Sequence, residues 1–207
     1  MFVIHQPIIG DWARRSPRHF ERVLQFVCAT IKQPLESTPA IVASYMVEGD
    51  ESDHAWGWKA DALFYYEQNR DEIYRVAMDT YNGYGDDHVK ESELLLYFAD
   101  MIGLGPVKAG FVIQLAFGLG GCMDRHNLAR FDISPRKFAA STFKSLKPAS
   151  KAKRIAEYQH ALANGGGCEA LWDGWCQYVA DLRPDVFEDA YEVSEMHITA
   201  LHMGDID

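Results

Sequence analysis

Apolar residues recur at helical spacing along nearly the whole chain. Phe20, Val23, Leu24, Val27 and Ile31 share one face at a period of 3.6. Ser16-Pro17 places an N-cap and a first-turn proline ahead of them, and Pro34 lies just beyond their end. The same pattern predicts a helix from Ser37-Thr38-Pro39 to Val47, a third over His54–Gln68 and a fourth from Asp71 to about Tyr81. Two further helices flank Gly103-Leu104-Gly105, and Ser134-Pro135 and Ser150 each open another. Asn82–Asp87 is a loop by composition, and Gly165-Gly166-Gly167 separates residues 151–164 from a helix over 168–182. Pro184 introduces a last helical stretch with an acidic tail. No segment alternates as a strand does, and there is neither an internal repeat nor a long low-complexity linker. The expectation is an all-α chain folded as one compact helical domain over residues 1–207.

Composition leaves that picture standing and narrows it. Apolar residues make up 48% and charged residues 24%, the proportions of an ordinary globular chain. No apolar run approaches the ~20 residues of a membrane span. Met1–Pro17 has no basic stretch leading into an apolar one, so no secretion signal is expected and the location is read as cytoplasmic. Cys28, Cys122, Cys168 and Cys176 are spaced for neither zinc nor an iron–sulfur cluster and read as free thiols. His197 and His202 are five apart, a poor ligand pair on a helix, so no metal or other cofactor is expected.

The net charge of −10 opposes a nucleic-acid partner until its distribution is considered. Between Arg125 and Arg154 stand nine basic residues (Arg125, Arg130, Arg136, Lys137, Lys144, Lys147, Lys151, Lys153, Arg154) and one acid, Asp132. The remainder holds eleven basic and twenty-nine acidic residues. The segment reads either as a phosphate-facing stripe or as the solvated face of two helices.

Residues 92–117 carry the most specific pattern. An apolar helix ends at Ile102, Gly103-Leu104-Gly105 turns the chain, and Pro106 to Phe117 forms a second apolar helix. Two glycines suit a tight turn, proline suits a first helical position, and Ala109 is small enough for the helices to approach closely. Backbone N–H groups at the second helix's start suit a phosphate. A glycine-rich loop then leads to Met123-Asp124-Arg125-His126.

Gly103-Leu104-Gly105-x-x-x-Ala109 resembles the helix-hairpin-helix consensus. Met123-Asp124-Arg125-His126, within the segment 122–131, resembles the stretch bearing the essential aspartate of helix-hairpin-helix DNA glycosylases. The resemblance covers about forty residues. It implies a compact helical bundle of that type, acting as a monomer on double-stranded DNA with a flipped base. It also implies that Gly103, Gly105, Val107, Lys108, Arg125 and Arg130 hold DNA backbone. The departures are informative. Bifunctional lyases of the superfamily place a nucleophilic lysine two residues after the second hairpin glycine, where this chain has Val107. Lys108 follows one residue later, about 100° around a helix, and should point elsewhere.

Three readings follow. In the first, the chain resembles the bacteriophage amino acid:DNA transferases (the α-glutamyl/putrescinyl-thymine pyrophosphorylase group). It would then join an amino acid or amine to pyrophosphorylated 5-hydroxymethyl-uracil in phage DNA, in the host cytoplasm. Asp124 or His126 would take the amine proton, and Lys108, Arg125 and Arg130 would face the leaving pyrophosphate. In the second, a monofunctional glycosylase, Asp124 would stabilise an oxocarbenium ion and help water attack the sugar. In the third, a non-catalytic DNA-binding module, the hairpin only grips backbone. Asp124 also fits a plain N-cap on the helix from Arg125 to Phe131. Trp56, Trp58, Tyr65, Tyr66 and Tyr84 are candidates to stack on a flipped base, while Phe64 and Tyr65 read more naturally as core. Asn127 suits either a base edge or the local backbone.

Overall fold

The computed structural model describes residues 6–31 and 57–182, and within them every regular element is helical. The helices are α1 (Gln6–Ala13), α2 (Pro17–Ala29), α3 (Trp58–Gln68), α4 (Arg70–Asn82) and α5 (Asp87–Asp100). They continue with α6 (Pro106–Phe117), α7 (Arg125–Arg130), α8 (Ala140–Lys144), α9 (Pro148–Asn164) and α10 (Gly167–Leu182), with a 3-10 turn at Pro135–Phe138. The helices expected over 37–47 and after Pro184 lie outside the described residues, as does the start of the one expected from His54.

Local chemistry explains most of the ends. Ser16 caps α2 by accepting the His19 N–H at 3.3 Å, with Pro17 in the first position. Asp86 caps α5 by accepting the Val89 N–H at 2.9 Å. Gly118 ends α6 in the left-handed region at φ 67°, as a helix C-terminus favours. Two expectations are corrected. Ser134-Pro135 opens only the four-residue 3-10 turn, because Ser134 makes no side-chain cap and Ala139 returns to extended backbone. Ser150 sits inside the first turn of α9, which begins at Pro148 behind Lys147.

The core gathers around α6, whose residues from Ala109 to Phe117 are all buried. A helix apolar on every side needs neighbours on every side. α5 packs most extensively against it, and α1 and α2 cover other faces. Phe20 of α2 sits 5.8 Å from Phe98 of α5 and 5.8 Å from Phe117 of α6, ring centre to ring centre. Tyr74 of α4 meets Phe20 edge-on at 6.1 Å. Each such ring contributes about 2–3 kcal/mol by leaving water, so this cluster fixes α2, α4, α5 and α6 together.

Helix α3 corrects the aromatic expectations. Its buried residues are Lys59, Ala62 and Tyr66 at helical spacing. Phe64 lies about 200° round from Ala62 and is 65% exposed, so it is not core. Tyr65 packs partly against the core, as its place on the helix flank allows. Tyr66 is fully buried and donates its hydroxyl to the Ile102 carbonyl at 2.6 Å, which removes it from the stacking candidates. No helix among the described residues is long and apolar enough to cross a membrane.

Candidate functional site

The hairpin joining α5 to α6 is built by two glycines that do different work. Gly103 has φ +79°, in the left-handed region that glycine tolerates and other residues rarely adopt. A side chain there would also meet Ala62 Cβ at 2.9 Å and the Tyr66 hydroxyl at 3.2 Å. Gly105 is in ordinary extended backbone at φ −159°, so its requirement is not the dihedral anticipated from the motif. A Cβ at that position would lie 2.6 Å from Ala140 Cα, so glycine is needed because α8 rests on the turn. Lys144 of α8 donates to the Met101 carbonyl at 2.6 Å and closes the same side. Leu104, Gly105 and Pro106 are buried in consequence, whereas Ile102 is 44% exposed and Val107 half-buried. Trp58, at the start of α3 and 44% exposed, packs beside Gly103.

The loop from α6 to Asp124 is held from below. Gly110 lets this loop and α9 approach α6 closely: a Cβ there would collide with the Gly121 carbonyl and come within 2.5 Å of the Tyr158 hydroxyl. Tyr158 is fully buried; it donates to the Gly121 carbonyl at 2.6 Å and accepts the Met123 N–H at 3.1 Å. Gln114, also buried, accepts the Cys122 N–H at 3.1 Å and donates to the Cys168 carbonyl at 3.0 Å. Glu91 accepts the Gly120 N–H at 2.9 Å. None of these three was singled out from the sequence, because each acts across twenty or more residues or from inside an apolar helix. Burial of the phenol pushes the Tyr158 pKa well up, so it stays a donor at physiological pH.

Asp124 emerges from this support half-buried at the N-terminus of α7. Its Oδ1 accepts the Asn127 N–H at 2.9 Å, and its carbonyl accepts the Leu128 N–H at 2.8 Å. It therefore caps α7 while presenting a carboxylate next to the exposed Arg125. Asn127 is buried, with its amide donating to the Cys122 carbonyl at 2.8 Å, so it holds the loop. The side chains of His126 and Arg130, and the whole of Trp56, lie outside the described residues. Tyr84 is fully exposed on the loop between α4 and α5.

Lys108 turns away from the position of Val107, as its place on the helix requires, and reaches the end of α2. Its ammonium donates to Thr30 Oγ1 at 3.0 Å and lies 5.4 Å from the centre of the Phe111 ring. Burial pushes the Cys28 and Cys122 thiols up to about 11 each, a rise that nearby lysines oppose. Cys28 feels both Lys59 and Lys108, while Cys122 feels Lys108 and Asp124. Lys108 and Asp124 thus share one neighbourhood around Cys122. The Cys176 side chain lies outside the described residues.

The basic segment is divided by its contacts. Lys144 binds the hairpin carbonyl, and Lys151 pairs with Asp100 at 2.5 Å. Lys137 and Arg154 both engage Glu157, at 3.3 and 3.2 Å, and Arg154 also donates to the Lys137 carbonyl. Arg125, Arg136, Lys147 and Lys153 are exposed. Among the described residues, no three His, Cys, Asp or Glu side chains converge as a metal site requires. No protein-family model, curated protein or solved structure matches the chain.

Proposed function

We propose that this chain modifies bases in DNA, using a helix-hairpin-helix to approach the duplex and Asp124 as its reacting carboxylate. The observation that carries the reading is the built support for Asp124. Tyr158, Gln114 and Glu91 fix the loop before it, and the carboxylate sits half-exposed at a helix start beside Arg125. A surface cap needs no such buttressing.

The reaction proposed is transfer of an amino acid or amine to an activated 5-hydroxymethyl-uracil. The amine nitrogen forms a bond to the exocyclic methylene carbon as the carbon–oxygen bond to pyrophosphate breaks. Pyrophosphate leaves with that electron pair, and the proton lost by the amine passes to Asp124. Val107 in place of a lyase lysine, and Lys108 engaged at Thr30, disfavour Schiff-base chemistry and strand cleavage. The same carboxylate beside a sugar would serve a monofunctional glycosylase, a second reading that the absent lyase lysine favours equally.

The test is mass spectrometry of nucleosides after incubating the full chain with pyrophosphorylated 5-hydroxymethyl-uracil DNA and a panel of amino acids and amines. A thymidine derivative carrying the added amine is expected. Unchanged nucleosides across the panel would reject the transfer, and abasic sites in DNA containing uracil, 8-oxoguanine or alkylated bases would replace it with the glycosylase.

A further inference from the structure

Two asparagine–glycine pairs stand at helix ends, Asn82-Gly83 at the end of α4 and Asn164-Gly165 at the end of α9. In such a pair the glycine backbone nitrogen can attack the asparagine side-chain carbonyl, because no side chain on the following residue blocks the approach. Both asparagines are exposed, so the two sites differ in how firmly the attacking nitrogen is held. The Gly165 N–H is shared between the Ala161 carbonyl at 3.1 Å and the Leu162 carbonyl at 3.0 Å. A Cβ on Gly165 would lie 2.9 Å from the Phe131 ring, so that ring packs over the peptide. The Gly83 N–H makes a single bond, to the Thr80 carbonyl at 3.3 Å, longer than the usual range. Beyond it the chain leaves α4 in extended backbone, towards the fully exposed Tyr84. A helix end tied by one long bond opens more readily than one tied by two. Packing also keeps position 83 bare: a Cβ there would lie 2.9 Å from the Asp79 carbonyl oxygen.

We propose that Asn82 is a site of spontaneous deamidation and isoaspartate formation, selected over Asn164 by the folded chain. The Gly83 nitrogen bonds to the Asn82 Cγ and gives its proton to solvent, while the Cγ–Nδ2 bond breaks and ammonia leaves. Water then opens the resulting succinimide at either carbonyl, leaving aspartate or isoaspartate at position 82. The last turn of α4 holds Asp79 and no basic residue, so a new carboxylate there opposes the helix dipole. Isoaspartate also lengthens the backbone by one carbon between α4 and the Asp86 cap of α5. Either product loosens the α4–α5 loop. The inference is independent of the DNA-modifying function.

Incubating the full chain at mildly alkaline pH and physiological temperature, then mapping its peptides by mass spectrometry and isoaspartate-specific methylation, tests the site. Position 82 is expected to exchange amide for carboxylate about tenfold faster than position 164, the ratio that one additional hydrogen bond supplies. In concentrated urea the two pairs should convert at similar rates, since the fold no longer distinguishes them. Asn82→Gln should silence the site at an unchanged melting temperature, because glutamine would have to close a larger ring. Equal rates at the two positions in the folded chain, a lead by Asn164, or no conversion at position 82 would each overturn the proposal. Methylation of the same peptide in the Asn82→Gln variant would overturn it as well.

Discussion

The hairpin with its aspartate loop and the basic segment behind it make an instructive contrast. The hairpin looks like a surface motif, yet beyond the exposed Ile102 its Leu104, Gly105 and Pro106 are buried, with α8 against Gly105, and its loop is pinned by Tyr158 and Gln114. The basic segment looks like a uniform charged stripe, yet Lys137, Lys144, Lys151 and Arg154 are committed to carboxylates and carbonyls within the fold. Geometry in the first region is set by packing, and charge in the second is only partly available to a partner. A count of cations in sequence therefore overstates an electrostatic surface, and a short glycine motif understates how much structure supports it.

The largest effect should come from the packed region. Gly110→Val drives a branched side chain into the Gly121 carbonyl and the Tyr158 hydroxyl, and a loss of more than about 3 kcal/mol is expected in thermal unfolding. Wild-type stability would mean that the loop is free to move off α6.

Next comes alkaline pH. A thiol that ionises near 9 in the unfolded chain holds its proton to about 11 at Cys28. The folded state therefore binds more protons between these values, so stability is full below pH 9 and declines as pH rises towards 11. Cys28 alone would contribute a fall of about 3 kcal/mol, and Cys122, Tyr66 and Tyr158 act in the same direction. Urea unfolding across that window measures it, and a flat profile would sink the buried-thiol account.

Tyr158→Phe should cost about 2 kcal/mol, because it strands the Gly121 carbonyl and the Met123 N–H out of reach of water. Smallest are the lysines, which sharpen the contrast from the other side. Lys147→Gln should change stability by less than about 0.5 kcal/mol but reduce the salt dependence of DNA binding by about one counterion. Lys151→Gln should lose up to about 1 kcal/mol through its Asp100 partner, with a smaller change in salt slope. Identical behaviour of the two would erase the distinction between committed and available cations.

What could be read from the chain followed range. Ser16-Pro17, the loop expected over Asn82–Asp87 and the helices flanking Gly103-Leu104-Gly105 rest on contacts within a few residues, and each appears within two residues of its expected bounds, the loop as 83–86 and the first hairpin helix ending at Asp100 rather than Ile102. Gly103 was legible for the right reason and Gly105 for the wrong one, since its close neighbour Ala140 lies thirty-five residues on. Phe64 was misassigned because an aromatic residue on a helix does not say which face turns inward. In the candidate site, Asp124 was legible through its motif. Thr30, Glu91, Gln114 and Tyr158 were not, because the fold alone brings them to the hairpin and its loop.

Asp124→Asn isolates the chemistry of that carboxylate from its capping role, since asparagine caps a helix about as well as aspartate. Nucleoside mass spectrometry on pyrophosphorylated 5-hydroxymethyl-uracil DNA with amine, comparing this variant with wild type, is the most direct test. The account predicts a wild-type melting temperature, retained duplex binding and product formation reduced by about a hundredfold or more. Wild-type turnover by the folded asparagine variant would contradict it and leave Asp124 as a cap.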